Sequence, residues 1–118
     1  MNEKLRTVLA MLKRAGKLTI TAKDLKTFLE YKDKWRSMGA AMMQGELLSR
    51  YPLEMTMLFR ANQPGPLPPE EELWALGRAA LEEHLREERE LDHRIRQEEK
   101  EEREALSYAQ DELDHLPD

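Results

Sequence analysis

The chain contains no cysteine. That excludes a disulfide framework, a thiolate nucleophile and a cysteine-ligated metal. Aromatic side chains are few, with two Phe, two Trp and three Tyr in 118 residues, so aliphatic and methionine side chains must supply the core. No apolar run approaches the roughly 18 residues of a membrane span. The N-terminus runs Met1-Asn2-Glu3-Lys4-Leu5-Arg6 into an amphipathic pattern with a charge every few residues, which does not suit a signal peptide. A soluble, cytoplasmic protein with no membrane contact is expected. The five glycines are scattered, so no phosphate-cradling loop is present, and neither a nucleophile elbow nor a Cys/His pair exists. No catalytic residues and no cofactor are expected, and the chain does not read as an enzyme.

Charge is abundant. Charged residues make up 36% of the chain, against about a quarter in ordinary domains. Such a chain folds only if its apolar residues are concentrated somewhere. All seven Met, both Phe and one Trp lie within residues 1–62. The same stretch carries twelve Lys/Arg and six Asp/Glu, a net of +6, whereas residues 63–118 carry seven and eighteen, a net of −11. Together they make the −5 of the whole chain. So sharp a division suggests different partners for the two halves, or halves that partner each other.

The apolar spacing is helical throughout. Leu5, Val8, Leu9, Leu12 and Ala15 form one stripe of a first helix over about 2–15, ended by Gly16. Thr21-Ala22-Lys23-Asp24 resembles a capping box with Asp in place of Glu, and Ile20 and Leu25 stand at the positions of a hydrophobic staple. A second helix therefore starts at Ala22, with Leu25, Phe28, Leu29, Trp35 and Met38 inward. Leu18-Thr19-Ile20 has strand-like character but no partner strand nearby. A third helix is expected over 40–50, with Met43, Leu47 and Leu48 inward, and a fourth over 53–60, opened by Pro52 at its first turn. Four prolines between 64 and 69 then forbid helix and favour a semi-rigid spacer. The expected fold is all-α: a small N-terminal bundle of about four helices (1–62), a Pro-rich linker (63–69) and a long acidic helix (70–118), continuous or broken near Gln97 into a hairpin.

Glu70-Glu71-Glu72 suits the positive end of that helix's dipole. Between Arg86 and Glu104, fifteen of nineteen residues are charged, with Leu91 and Ile95 the apolar exceptions. Opposite charges recur at i, i+4, as in Glu90/Arg94, Asp92/Arg96 and Glu99/Arg103. Each such pair contributes about 0.2–0.5 kcal/mol, which can hold a helix that buries little. A heptad frame with Leu81, Ile95, Ala109 and Leu116 at a, and Leu85, Leu106 and Leu113 at d, also puts Glu88, Asp92, Glu99 and Glu102 in the seam. A continuous two-stranded coiled coil does not tolerate that. The expectation is a solvated rod with an apolar patch at each end, Leu81 and Leu85 at one and Leu106 and Leu113 at the other, where it self-associates or meets a partner helix.

Two further groups carry chemistry. Lys13, Arg14, Lys17, Lys23, Lys26, Lys32, Lys34 and Arg36 fall within 24 residues, an arrangement suited to phosphates or to an acidic protein surface. No Arg/Asn/Gln-rich helix face offers base contacts, so any nucleic acid would be held by its backbone. His84 with Glu88, and Glu90 with His93, have the spacing of metal-ligand pairs. A glutamate-rich helix produces such pairs by chance, and no metal is expected. Met42 and Met57 would form a partner-helix groove if both faced outward; core packing is the preferred reading of the methionines. In size, charge segregation and lack of a catalytic constellation, the chain resembles small accessory proteins of phages and mobile elements. The expected function is a non-enzymatic adaptor or regulator with a protein partner, nucleic acid as an alternative target of the basic head, and homo-oligomerisation through the tail. A scaffold or chaperone-like assembly subunit is the alternative.

Overall fold

The computed structural model describes residues 1–34 and 36–114, with side chains described through 107. Trp35, Leu116 and Pro117 lie outside the described residues, as do the side chains of Ala109 and Leu113. The chain forms five helices: α1 (Glu3–Arg14), α2 (Ala22–Tyr31), α3 (Met38–Arg50), α4 (Pro52–Ala61) and α5 (Glu70–Asp114). The described residues contain no strand. Two compact units result, Met1–His84 and Leu85–Asp118.

The local rules decide most boundaries of the first unit. Asn2 caps α1, its side-chain oxygen accepting from the Leu5 N–H at 2.9 Å. Gly16, at φ +69°, lets the chain leave α1, with the Lys17 N–H donating back to the Leu12 carbonyl at 2.9 Å; an L side chain there would be strained. Thr21 caps α2 by accepting from the Asp24 N–H at 3.1 Å. Pro52 is the first residue of α4.

Helix α4 is the centre of this unit. Its residues Leu53, Met55, Met57, Leu58 and Ala61 are buried, and it packs against both α1 and α3. Being apolar on most of its circumference, it needs neighbours on several sides. Leu5, Val8, Met11 and Leu12 of α1, Phe28 of α2, Leu47 of α3 and Leu73 of α5 supply them. Phe28 meets Phe59 edge to face, with ring centres 5.2 Å apart. Met57 is fully buried while Met42 is 67% exposed, so the groove that needs both methionines outward does not form.

One expected boundary is corrected. Met38 belongs to the start of α3, not to the inner face of α2, and is 82% exposed. Ser37 is the reason: its hydroxyl accepts from the Ala40 N–H at 3.1 Å and starts α3 two residues before Ala40. The second helix stops at Tyr31, with Lys32 as its C-cap.

The proline segment is fastened to the first unit. The Lys4 ammonium donates to the Gln63 carbonyl at 2.7 Å and to the Gly65 carbonyl at 3.0 Å, and Leu67 packs against the core. Helix α5 then enters the core with Leu73, fully buried. Gly77 lets α5 pack tightly on α4 side chains, because a Cβ there would lie 3.0 Å from the Met57 side chain and 3.2 Å from Leu53. Helix α5 continues without a break through Gln97, so the hairpin does not form.

Candidate functional site

Each of the eight clustered cations comes from α1, α2 or the turns that follow them. Lys13 and Arg14 are the last residues of α1, and Lys17 follows its terminal turn. Lys23 and Lys26 lie in the first half of α2. All five are exposed. The segment joining the two helices is anchored by one buried acid, Glu54 of α4, which is 5% exposed. Its carboxylate accepts from the Thr19 N–H at 2.8 Å, the Ile20 N–H at 2.9 Å and the Thr19 hydroxyl at 2.7 Å. This is what the strand-like Leu18-Thr19-Ile20 stretch does with its backbone donors. They bond a carboxylate in place of a strand.

A second anchor holds the start of α2. The Asp24 carboxylate accepts from the Tyr51 hydroxyl at 2.6 Å and from the Arg50 guanidinium at 3.2 Å. The Tyr51 hydrogen bond, helped by those from Thr21 and by the nearby Arg50 and Lys23 charges, holds the Asp24 carboxyl below the ordinary carboxylate range. In a complete capping box this carboxylate would reach back to the Thr21 N–H; here the Tyr51 oxygen is the group facing that N–H, at 3.4 Å.

Lys32, Lys34 and Arg36 follow at and beyond the C-terminal end of α2, with Lys32 about 9 Å along the helix axis from Lys26. Five of the eight cations thus lie before the second half of α2 and three at or beyond its end. Lys32 is half-buried. It pairs with Asp33 at 2.6 Å, and that contact lowers the Asp33 carboxyl from its usual value. Beside this pair lies a half-open hollow of about 600 Å³ between α2, α3 and the end of α4. Phe28, Met43, Leu47 and Phe59 are among its apolar lining residues, and Lys32, Asp33 and Arg36 among its polar ones. Asn62 closes one side by donating to the Lys32 carbonyl at 3.1 Å. A hollow with that lining can take one or two apolar side chains with a neighbouring carboxylate.

The four leucines expected to meet a partner helix do not form one set. Leu81 is half-buried and packs against the core of the first unit. Leu85 and Leu106 are 40% and 66% exposed, and the side chain of Leu113 is outside the described residues. Every residue from 85 to 107 is exposed, including Leu91 at 54% and Ile95 at 45%. One of the expected i, i+4 pairs closes at 3.2 Å, between Asp92 and Arg96.

Sequence reasoning missed Glu54 and the hollow. For Glu54 a signal exists, an acid in the first turn of a helix otherwise apolar nearly all round. The hollow depends on where α2 stops, at Tyr31, and where α3 starts, at the Ser37 cap. Among the described residues, no group of three or more His, Asp or Glu side chains is placed to hold a metal, and no helix is long and apolar enough to cross a membrane. No protein-family model matches the chain, and comparison with curated proteins and with solved structures finds no match.

Proposed function

We propose that this protein is a non-enzymatic adaptor, with the first unit contacting a polyanionic partner and the acidic arm contacting a second partner. One observation carries the reading: residues 85–107 of α5 expose every side chain, four large apolar ones among them. A helical stretch exposed at each of these positions, yet carrying large apolar side chains, is best accounted for as a contact surface.

The first unit contributes Lys13, Arg14, Lys17, Lys23 and Lys26, on a backbone fixed by Glu54 and Asp24. Fixed cations suit a fixed line of negative charge, whether the phosphates of a nucleic acid or the carboxylates of an acidic protein surface. Titrating the full chain with labelled duplex DNA and with an acidic polypeptide, at several salt concentrations, tests this half. Binding to at least one polyanion is expected, weakening steeply with salt. Reversal of Lys13, Lys17, Lys23 and Lys26 to Glu should abolish it. Binding to neither, or unchanged binding by the reversed variant, contradicts it.

Exposed Leu85 and Leu106 also favour a second reading, an assembly subunit that multiplies through its tail. Light scattering of the full chain separates the two, since a defined oligomer above the monomer mass supports assembly.

A further inference from the structure

We infer that the arm is a docking strip for a basic amphipathic helix of another protein. This rests on the reading of the arm as a contact surface and names what it takes.

The strip comes from register. In a helix of about 100° per residue, Leu91, Ile95 and Leu106 fall within about 60° of one another. Among the described residues they are the large exposed apolar side chains of the arm beyond Leu85, at 54%, 45% and 66% exposure. The spacing 91, 95, 102, 106 extends a four-three-four pattern that also contains 73, 77, 80 and 84. In the first unit those positions hold Leu73 and Gly77, both buried, and Ala80 and His84, both half-buried. The eleven-residue steps Leu73, His84, Ile95 and Leu106 mark the same register. A heptad frame obscures it, because an eleven-residue repeat corresponds to about 3.67 residues per turn, nearer the roughly 3.6 of a straight helix than the heptad's 3.5.

Charge selects the occupant. Glu87, Glu88, Asp92, Glu98, Glu99 and Glu102 all lie within about 75° of the strip's midline, whereas each Arg and Lys from Arg86 to Arg103 lies about 90° or more away. The i, i+4 pairs therefore do more than stabilise the rod. Asp92/Arg96 and Glu99/Arg103 run from the acidic front to the basic back, the first closing at 3.2 Å, whereas Glu90/Arg94 lies off the strip. Two such fronts repel, so a second copy of the arm is disfavoured. A helix with an apolar stripe between rows of Lys or Arg meets both requirements, since leucines cover Leu91, Ile95 and Leu106 while its cations meet the glutamates.

The test uses the full chain and two synthetic helical probes with the same leucine stripe, one flanked by lysines and one by glutamates. Fluorescence anisotropy should show binding of the lysine probe and none of the glutamate probe. The double variant Glu88→Lys/Glu102→Lys should weaken the lysine probe at least about tenfold. Each substitution creates a new i, i+4 pair, with Asp92 and Glu98 respectively, so circular dichroism should show the helix intact. Ile95→Ser should weaken it as well, and Arg89→Gln, on the back, should not. Equal binding of both probes, no binding of the lysine probe, or binding unaffected by the charge-reversed variant overturns the inference. An arm-mediated dimer that Ile95→Ser dissolves also overturns it while leaving the arm a contact surface; the reading of the arm itself fails if the full chain stays monomeric and neither probe binds.

Discussion

Helix α5 is one helix with two physical characters. Over residues 70–84 it is a core element, with Leu73 fully buried, Gly77 against α4 and Leu81 on the core. Over residues 85–107 every residue is exposed, and the helix rests on its own backbone and on charge pairs. Hydrophobic burial therefore supports the first part, and helix propensity with i, i+4 electrostatics the second. A residue of the same type should thus have very different effects on the two sides of His84.

Leu73→Ala opens a cavity in the first unit and is expected to cost about 2–5 kcal/mol, whereas Ile95→Ala should change stability by less than about 0.5 kcal/mol. Chemical denaturation of both variants checks the contrast, and similar costs would break it. For the same reason a chain cut after residue 66, which loses Leu73, Trp74 and Leu81, should be much less stable than one cut after residue 84.

Glu54→Ala comes next. It leaves the Thr19 and Ile20 N–H groups without their carboxylate, at a cost of about 1–3 kcal/mol, and it should weaken polyanion binding more than its stability loss alone explains, because it frees the segment that places Lys17. No change in melting temperature would contradict the anchor.

Two glycines sharpen the comparison at a smaller scale. Gly45 in α3 has open space where a Cβ would stand, so Gly45→Ala should stabilise by about 0.5–1 kcal/mol. Gly77→Ala carries the same helix gain, but its methyl group meets Met57 at 3.0 Å inside the core. It should be neutral or destabilising, and a gain equal to that at Gly45 would show that α5 is packed less closely than described.

The smallest effect is one of pH. Tyr51, the main cause, holds the folded-state pKa of Asp24 below its unfolded value. The stability this contributes is present above the unfolded pKa of about 3.9 and fades as pH falls through the folded one. Thermal melts between about pH 5 and pH 2 should show a shallower acid loss for Tyr51→Phe than for the parent chain. Identical profiles would remove Tyr51 from the account.

The local signals in the sequence were good guides. Gly16, Thr21 and Pro52 each mark a boundary with a mechanism that acts within a few residues, and the structure uses all three. The long helix also followed from its first-turn glutamates and its charge spacing. What escaped were features set across the fold. Glu54 meets its partners 34 and 35 residues away, and nothing near it in the chain announces them. The proline segment reads as a spacer from composition, yet Lys4, some sixty residues earlier, fastens it. Leu81 and Leu85 looked equivalent by spacing, and only packing tells that one lies on a core and the other in water. The arm's register was available but lay outside the heptad frame.

Hydrogen exchange of the full chain, alone and with the lysine-flanked probe, tests the central claim most directly. Amides around Leu73 to Leu81 should exchange at rates set by global unfolding, and those over 85–107 much faster, by local opening. The probe should slow exchange over 88–106 and leave the first unit unchanged. Equal protection on both sides of His84 in the dilute free chain would contradict the account.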